Sequence, residues 1–339
     1  MLKAVAGPLT ALGLLMSVQG CGARASATTA QASPTPAGAM RAYDAYVTAA
    51  KVALADHNEQ LALSLTTSAQ YALVAAAYTA GTGPASAAAA DRPVYGRPTL
   101  YVPKLTTYPQ WFMAVAPEHP AGGGPTRTSL MVFNRGSSGA TWQLSGSVLL
   151  NPGSAPLTVA TGHDGYATAL DTSSQSLKIR PDEVGATVAT VADDGPSSAA
   201  TAVVAAGPQT TGLYSANAAI EKQAATRHEF YQWELEGTSY PVFALRTANG
   251  GALVFYTMYL TTVTETTNTP PRNGHAPLPT VPVPAEYKPF LPSTTGTLHH
   301  QLTGDQTLQY AALVPPASSR TGRIQVIGSA GGPTYAHGF

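Results

Sequence analysis

His228, Glu234 and Glu236 fall within HEFYQWELE, residues 228–236. In an extended chain alternate side chains point the same way, so these three would share a face with Phe230 and Gln232. One imidazole and two carboxylates on a common face can hold a metal ion or relay a proton. The same alternation also describes a half-wet strand whose charges face water, and the sequence offers no second ligand-rich segment to complete a coordination shell. His299-His300 are adjacent, so on a strand their rings would point to opposite faces and cannot chelate one ion. His163-Asp164-Gly165 reads as a turn, and no serine is marked out to join it in a nucleophilic triad. GSSG, residues 136–139, flanks serines with glycines but lacks a strand–elbow–helix setting, and reads as a hairpin loop. Phosphate-loop, dinucleotide and zinc-protease motifs do not occur.

The elements that would carry these residues belong to a chain of 339 residues, 44% apolar and only 11% charged, with 18 basic and 18 acidic side chains. The apolar share supports a packed core, while the charged share is far below the roughly 25% of an ordinary soluble domain. A balanced, charge-poor surface lacks the basic footprint that phosphate neutralisation requires, which argues against nucleic acid as a partner. With one cysteine, Cys21, no disulfide can form within the chain. No cofactor is called for by any motif, and no metal site is expected beyond the weak grouping at His228, Glu234 and Glu236.

Residues 1–20 combine a basic start at Lys3, an apolar run from Ala4 to Val18 and small residues at the exit, the parts of an export signal. The run is shorter than the roughly 20 residues of a spanning helix, and Gly7-Pro8 interrupts it. VQGC, Val18 to Cys21, resembles the lipobox of bacterial lipoproteins, in which an aliphatic, a variable and a small residue precede a cysteine. Val18 stands where leucine is usual, and Gln19 is bulkier than the usual occupant. The resemblance implies that Cys21 receives a diacylglyceryl group with palmitate-like chains and becomes the first residue of the mature protein. It also implies that the protein is anchored at the outer face of the cytoplasmic membrane, with the lipid bilayer as its first partner. The alternative is an A-x-A cleavage site at Ala25–Ala27, which would release a soluble secreted protein. Residues 21–39 are expected to form a flexible tether. The Ala/Gly/Pro/Thr bias is similar to that of exported lipoproteins of high-GC actinobacteria.

Past the tether, Met40, Tyr43, Val47, Ala50 and Leu54 recur at helical spacing, and Leu61–Tyr78 is a second helical region. Strands are expected near Thr99–Val102, Trp111–Ala116 and Thr128–Asn134. Another, at Ala140–Val148, alternates apolar and polar as though one face were wet. The order then repeats. Helices begin at Pro181 and run to about Gln223, broken near Gly195-Pro196 and Gly207-Pro208, and strands follow at His228–Glu236 and Ala252–Thr266. Asn249-Gly250 and Gly304-Asp305 both read as hairpin turns. TTYPQWFMAVA from Thr106 is echoed 132 residues later by TSYPVFALRTA from Thr238. The expectation is an α+β protein of two tandem modules, residues 40–175 and 176–339, each with helices followed by a curved antiparallel sheet. Asp171–Ser176 would lie at the junction, and the Pro-rich stretch 269–292 would be an excursion from the second module. Each module resembles the NTF2-like or cystatin-like folds, an architectural likeness that carries no functional residue.

Titratable groups are few, whereas Thr, Ser, Gln and aromatic side chains are plentiful. These residues hydrogen-bond and stack more readily than they exchange protons. Trp111, Trp142 and Trp233 read as core, and the aromatics of 230–259 either fill the core or line a pocket. The function expected is therefore non-enzymatic binding of a small ligand or an envelope protein. The alternatives are an exported hydrolase using His228, Glu234 or Glu236, and a passive structural component.

Overall fold

Thr35 and Pro36 start the first helix. The Thr35 hydroxyl accepts the Gly38 N–H at 3.0 Å, and Pro36 supplies a first-turn φ without wasting a donor. The computed structural model describes residues 32–81, 94–120, 123–154, 156–267, 280–292 and 297–339. The signal segment expected at 1–20, Cys21 and the start of the expected tether lie outside them. The end of the stretch expected to be a tether is helical instead, because α1 spans Pro36–Ala55 and buries Ala39 and Tyr43.

The second helical region divides into α2, Glu59–Ser64, and α3, Ser68–Thr79. They part at Thr66, whose backbone bridges to Leu144. Five strands follow: β1 (Val94–Tyr95), β2 (Thr99–Tyr101), β3 (Gln110–His119), β4 (Arg127–Arg135) and β5 (Gln143–Leu150). Next come α4 (Val184–Asp194), entered through a 3-10 turn at Pro181–Glu183, and α5 (Thr211–Thr226). The last strands are β6 (Glu229–Gly237), β7 (Phe243–Arg246), β8 (Ala252–Thr266), β9 (Gln301–Val314) and β10 (Gln325–Gly338). The protein is α+β.

Among the described residues all ten strands belong to one antiparallel sheet with the path β1-β3-β4-β5-β10-β9-β8-β6, with β2 beside β3 and β7 beside β8. The pairing of β1 to β5 recurs in β6 to β10. In each half the first two strands both pair with the third, and the third, fourth and fifth pair in sequence. The halves join where Leu149 and Leu150 of β5 meet Ser329 and Gly328 of β10. The Tyr-Pro echo falls on unlike elements: Tyr108-Pro109 leads into β3, whereas Tyr240-Pro241 leads into β7, whose counterpart is β2.

Both faces of the central strands are buried, which overturns the expectation of a wet face on the strand at 140–148. One face of the first half, with Phe112, Met131, Phe133 and Leu144, packs on α1 through Ala39 and Tyr43. One face of the second half, with Val254, Tyr256, Met258 and Tyr310, packs on Val184, Val188 and Val191 of α4. The remaining faces meet each other. Trp111, Met113, Leu130 and Val132 lie against Phe243, Leu245, Leu253 and Phe255, and the rings of Trp111 and Phe243 are 5.3 Å apart. Strands far apart along the sheet path touch because the sheet folds over at the β5–β10 joint. Strand β5 begins at Gln143; its Gly146 and Val148 face the other half, while Ser147 lies opposite Met131 on the other side of the sheet and α3 packs against the strand.

Asn249-Gly250 is a hairpin turn as expected, with Gly250 at φ +83° and the Gly251 N–H held by Asn249 Oδ1. Gly304-Asp305 is not. Strand β9 runs straight through it, with Gly304 paired to Thr262 and Ala336. Its glycine answers a close approach, since a Cβ there would lie 2.4 Å from the Tyr287 ring. Tyr287 comes from the described end of the Pro-rich stretch, which packs as a small core with Val281, Leu298, Leu302 and Ala336. Asp171–Ser176 is a hydrogen-bonded turn: Asp171 Oδ1 accepts the Ser173 N–H at 2.8 Å, and Ser176 Oγ accepts from Arg246 at 3.2 Å.

The fold-over has a narrow tolerance at Gly146, where a Cβ would stand 2.3 Å from the Phe255 ring. Gly146→Ala is expected to cost about 1–3 kcal/mol through overpacking. Adding Phe255→Leu should recover part of that loss, so the pair should be non-additive in denaturant unfolding. Additive losses would show that the two positions are not in contact.

Candidate functional site

The halves do not cover each other along their whole length. Trp111 and Met113 of β3 are sealed by the second half, but Val115, further along the same face, is only half-buried. Over that end the cover is the loop after β5, and between them lies a groove of about 830 Å³. Tyr101, Val115, Leu149, Leu150 and Leu157 give it apolar walls. Thr99, Thr126, Thr128, Asn151, Ser154 and Ser329 give it neutral hydrogen-bonding groups. Its volume lies in the range of small-molecule sites, and its mixture of apolar wall and sparse polar groups is typical of them.

The groove is held in shape by hydrogen bonds from several segments. Tyr101 Oη donates to the Leu157 carbonyl at 3.2 Å, and Ser154 Oγ donates to the Ile327 carbonyl at 3.2 Å. Asn151 Nδ2 donates to the Val326 carbonyl at 3.1 Å, while Gln209 Nε2 donates to Asn151 Oδ1 at 3.1 Å and to Ser329 Oγ at 3.0 Å. Burial of Tyr101 raises its phenol pKa, so the hydroxyl stays a donor at neutral pH. Among the described lining residues the single charged side chain is Arg127, and the buried carboxylate of Glu118 is paired with it. The surface therefore suits a molecule without net charge.

The residues singled out by chemistry alone lie elsewhere. His228 immediately precedes β6, at φ +58°, and its carbonyl accepts from Thr267. Phe230, Gln232, Glu234 and Glu236 do share one face of β6, and with His228 they are exposed on the outermost strand of the sheet. Among the described residues no group of three His, Cys, Asp or Glu side chains is placed to hold a metal ion. His299 and His300 lie just before β9, with His300 against the Phe339 ring at 5.5 Å. Asp164 pairs with Lys104 at 3.1 Å in its turn, and that hydrogen bond lowers its pKa. Residues 136–139 form the loop between β4 and β5. Trp111 is core, Trp142 packs between Phe112 and the Arg135 guanidinium, and Trp233 stacks with Tyr231.

Asp193 belongs to no motif that would mark it in the sequence. It sits in the last turn of α4, and its Oδ1 accepts the Leu235 N–H at 3.1 Å. Burial raises its pKa to about 6, the Leu235 hydrogen bond opposes the rise, and the charges of Glu234 and Asp194 add to it. The groove residues carry no such mark either, because neutral side chains from five strands and two loops have no spacing signal.

The chain belongs to the family described as a domain of unknown function, DUF8094, which matches residues 30–338. It is 27% identical over 243 residues to "Uncharacterized lipoprotein SCO2278" of Streptomyces coelicolor, a match covering 70% of this chain and 65% of that protein. It is 28% identical over 155 residues to an "Uncharacterized lipoprotein" of Streptomyces avermitilis, covering 46% of this chain and 44% of that protein. The chain thus spans less than two thirds of the length of either relative. No solved structure matches it. The likeness to actinobacterial lipoproteins read from leader and composition agrees with these relatives.

Because the native state raises the Asp193 pKa, it binds that proton more tightly than the unfolded chain does. The stability this proton contributes is complete below about pH 4 and is lost as pH rises through about 6. Asp193→Asn should therefore raise the unfolding midpoint at about pH 7.5, with the gain shrinking towards about pH 4.5. A lower midpoint at the higher pH would show that the carboxylate hydrogen bond outweighs the burial of its charge.

Proposed function

We propose that this protein is an exported lipoprotein, anchored through Cys21 at the outer face of the cytoplasmic membrane. In this reading it binds an uncharged, partly apolar ligand in the groove beside Tyr101 and Leu150 without turning it over. The composition of the groove carries the reading: apolar walls, neutral hydrogen-bonding groups and one guanidinium already engaged by Glu118. General acid–base chemistry needs a titratable group within reach of the ligand, and His228, Glu234 and Glu236 do not line this groove. A hydrolase built on those residues remains the alternative, with Asp193 beside Glu234 as the observation in its favour.

Two relatives named as lipoproteins support the anchored address, as does the VQGC leader. No described helix is long and apolar enough to cross a membrane. Two acyl chains, at about 0.8 kcal/mol per buried CH₂, would hold the chain at a bilayer where one would not. The repeated pairing of β1–β5 and β6–β10 favours two tandem modules of the NTF2-like or cystatin-like kind, with the groove at the margin of their contact.

Cys21→Ala should abolish incorporation of labelled fatty acid and move the protein out of the membrane fraction. A mature wild-type N-terminus at Thr28 would instead establish the soluble alternative. For the groove, the uncharged fluorophore N-phenyl-1-naphthylamine should bind wild-type protein saturably. Thr128→Trp, which puts an indole into the groove, should weaken that binding by about tenfold or more. Unchanged binding in the variant would place the apolar site elsewhere.

A further inference from the structure

A second cleft, of about 520 Å³, opens between the α2–α3 turn and Tyr240 on the loop joining β6 to β7. It shares no residue with the groove. Its lining is two tyrosine rings, Leu63 and neutral hydrogen-bonding groups, and none of the described residues that form it is charged.

Tyr71, on the first turn of α3, leaves 47% of its surface in water, an unusual exposure for a large ring on a helix that packs against the sheet. Tyr240 faces the same cleft and is steadied by Tyr259, whose ring meets it edge-on at 6.1 Å and whose hydroxyl donates to it at 3.3 Å. That bond leaves the Tyr240 phenol proton available. Gln143 spends both amide protons on the Ser64 and Thr66 carbonyls, at 3.0 and 3.1 Å, so its Oε1 remains an acceptor. Ser64 Oγ donates to Leu61 and keeps its lone pairs, while the Thr67 hydroxyl makes no capping bond to α3. These groups are fixed in place, because the turn is pinned to β5 by Thr67 N–H to the Leu144 carbonyl and Leu144 N–H to the Leu65 carbonyl, both at 2.9 Å.

We propose that this cleft binds an uncharged carbohydrate. A sugar ring presents a C–H face to an aromatic ring, and its hydroxyls each donate and accept, which is what two tyrosines and a set of neutral hydroxyls and amides can meet. An ion would be desolvated here without a counter-charge, and a wholly apolar ligand would strand the polar groups. The inference stands on this cleft alone and does not depend on the groove.

The test uses the membrane-extracted full-length protein with maltotriose and tri-N-acetylchitotriose as probes, followed by saturation-transfer NMR and calorimetry. At least one trisaccharide should bind saturably with Kd no weaker than about 10 mM. Tyr71→Ala should weaken that binding about tenfold or more, while Tyr71→Phe, which keeps the ring, should stay within about threefold. Tyr71 is exposed, so both variants should keep the wild-type circular dichroism spectrum. Co-sedimentation with insoluble chitin or cellulose separates a polymer surface from a free oligosaccharide, and either satisfies the proposal. No saturable binding of either trisaccharide, or equal binding by wild type and folded Tyr71→Ala, overturns it.

Discussion

The contact between the two half-sheets is the constraint on which the rest of the structure depends. Phe255 of β8 lies over Gly146 of β5, and Trp111 meets Phe243 edge-on, although these strands are far apart along the sheet path. Only a sheet that folds over on itself can make those contacts. Along the fold, β5 and β10 share just two paired positions, and beyond them the Gln309 side chain stands in for a strand by accepting the Ser147 N–H at 2.9 Å. A glycine at 146 and a glutamine at 309, both buried, mark the places where ordinary pairing gives way.

Folding the sheet this way leaves each half with one face for helices and one for its counterpart. Strands buried on both faces need apolar or small neutral side chains at nearly every position, which accounts for much of the low charge of the chain. It also explains how the groove arises. The inner faces cannot remain in register along their full length once the sheet has turned, so the layers part at one end. There the walls are the continuation of the core itself, and only the loop after β5 and its hydrogen-bonded partners line the remaining side.

Much of this was legible in the sequence, and the failures share a cause. Ala252–Thr266 was read to its ends because β-branched and aromatic residues crowd it, and Asn249-Gly250 because a tight hairpin requires left-handed backbone. Gly304-Asp305 carries the same local signature as a turn, yet its glycine serves the distant Tyr287 ring. Local pattern cannot distinguish a glycine needed for its own φ from one needed by a neighbour remote in sequence. In the strand expected at 140–148, which is β5 at Gln143–Leu150, the serines suggest a wet face because they report polarity and not exposure. Ser145 is buried, and Ser129 and Ser147 lie within 3.2 Å of each other. The Tyr-Pro echo matches unlike strands, β3 with β7, because the dipeptide marks entry into a strand and not its identity.

The same reasoning explains why the titratable residues were a poor guide to a site. In a chain so short of charge, the few carboxylates and histidines draw attention, yet His228, Glu234 and Glu236 lie at the outer edge of the sheet, where water solvates them at little cost. The groups that can recognise a ligand here are neutral, and their number along the chain disguises them. Tyr101, Asn151 and Ser329, or Tyr71, Gln143 and Tyr240, become distinctive only when the fold-over and the α2–α3 turn gather them around open space. Recognition by shape, aromatic surface and neutral hydrogen bonds is then the chemistry that a charge-poor, doubly buried sheet leaves available at its margins.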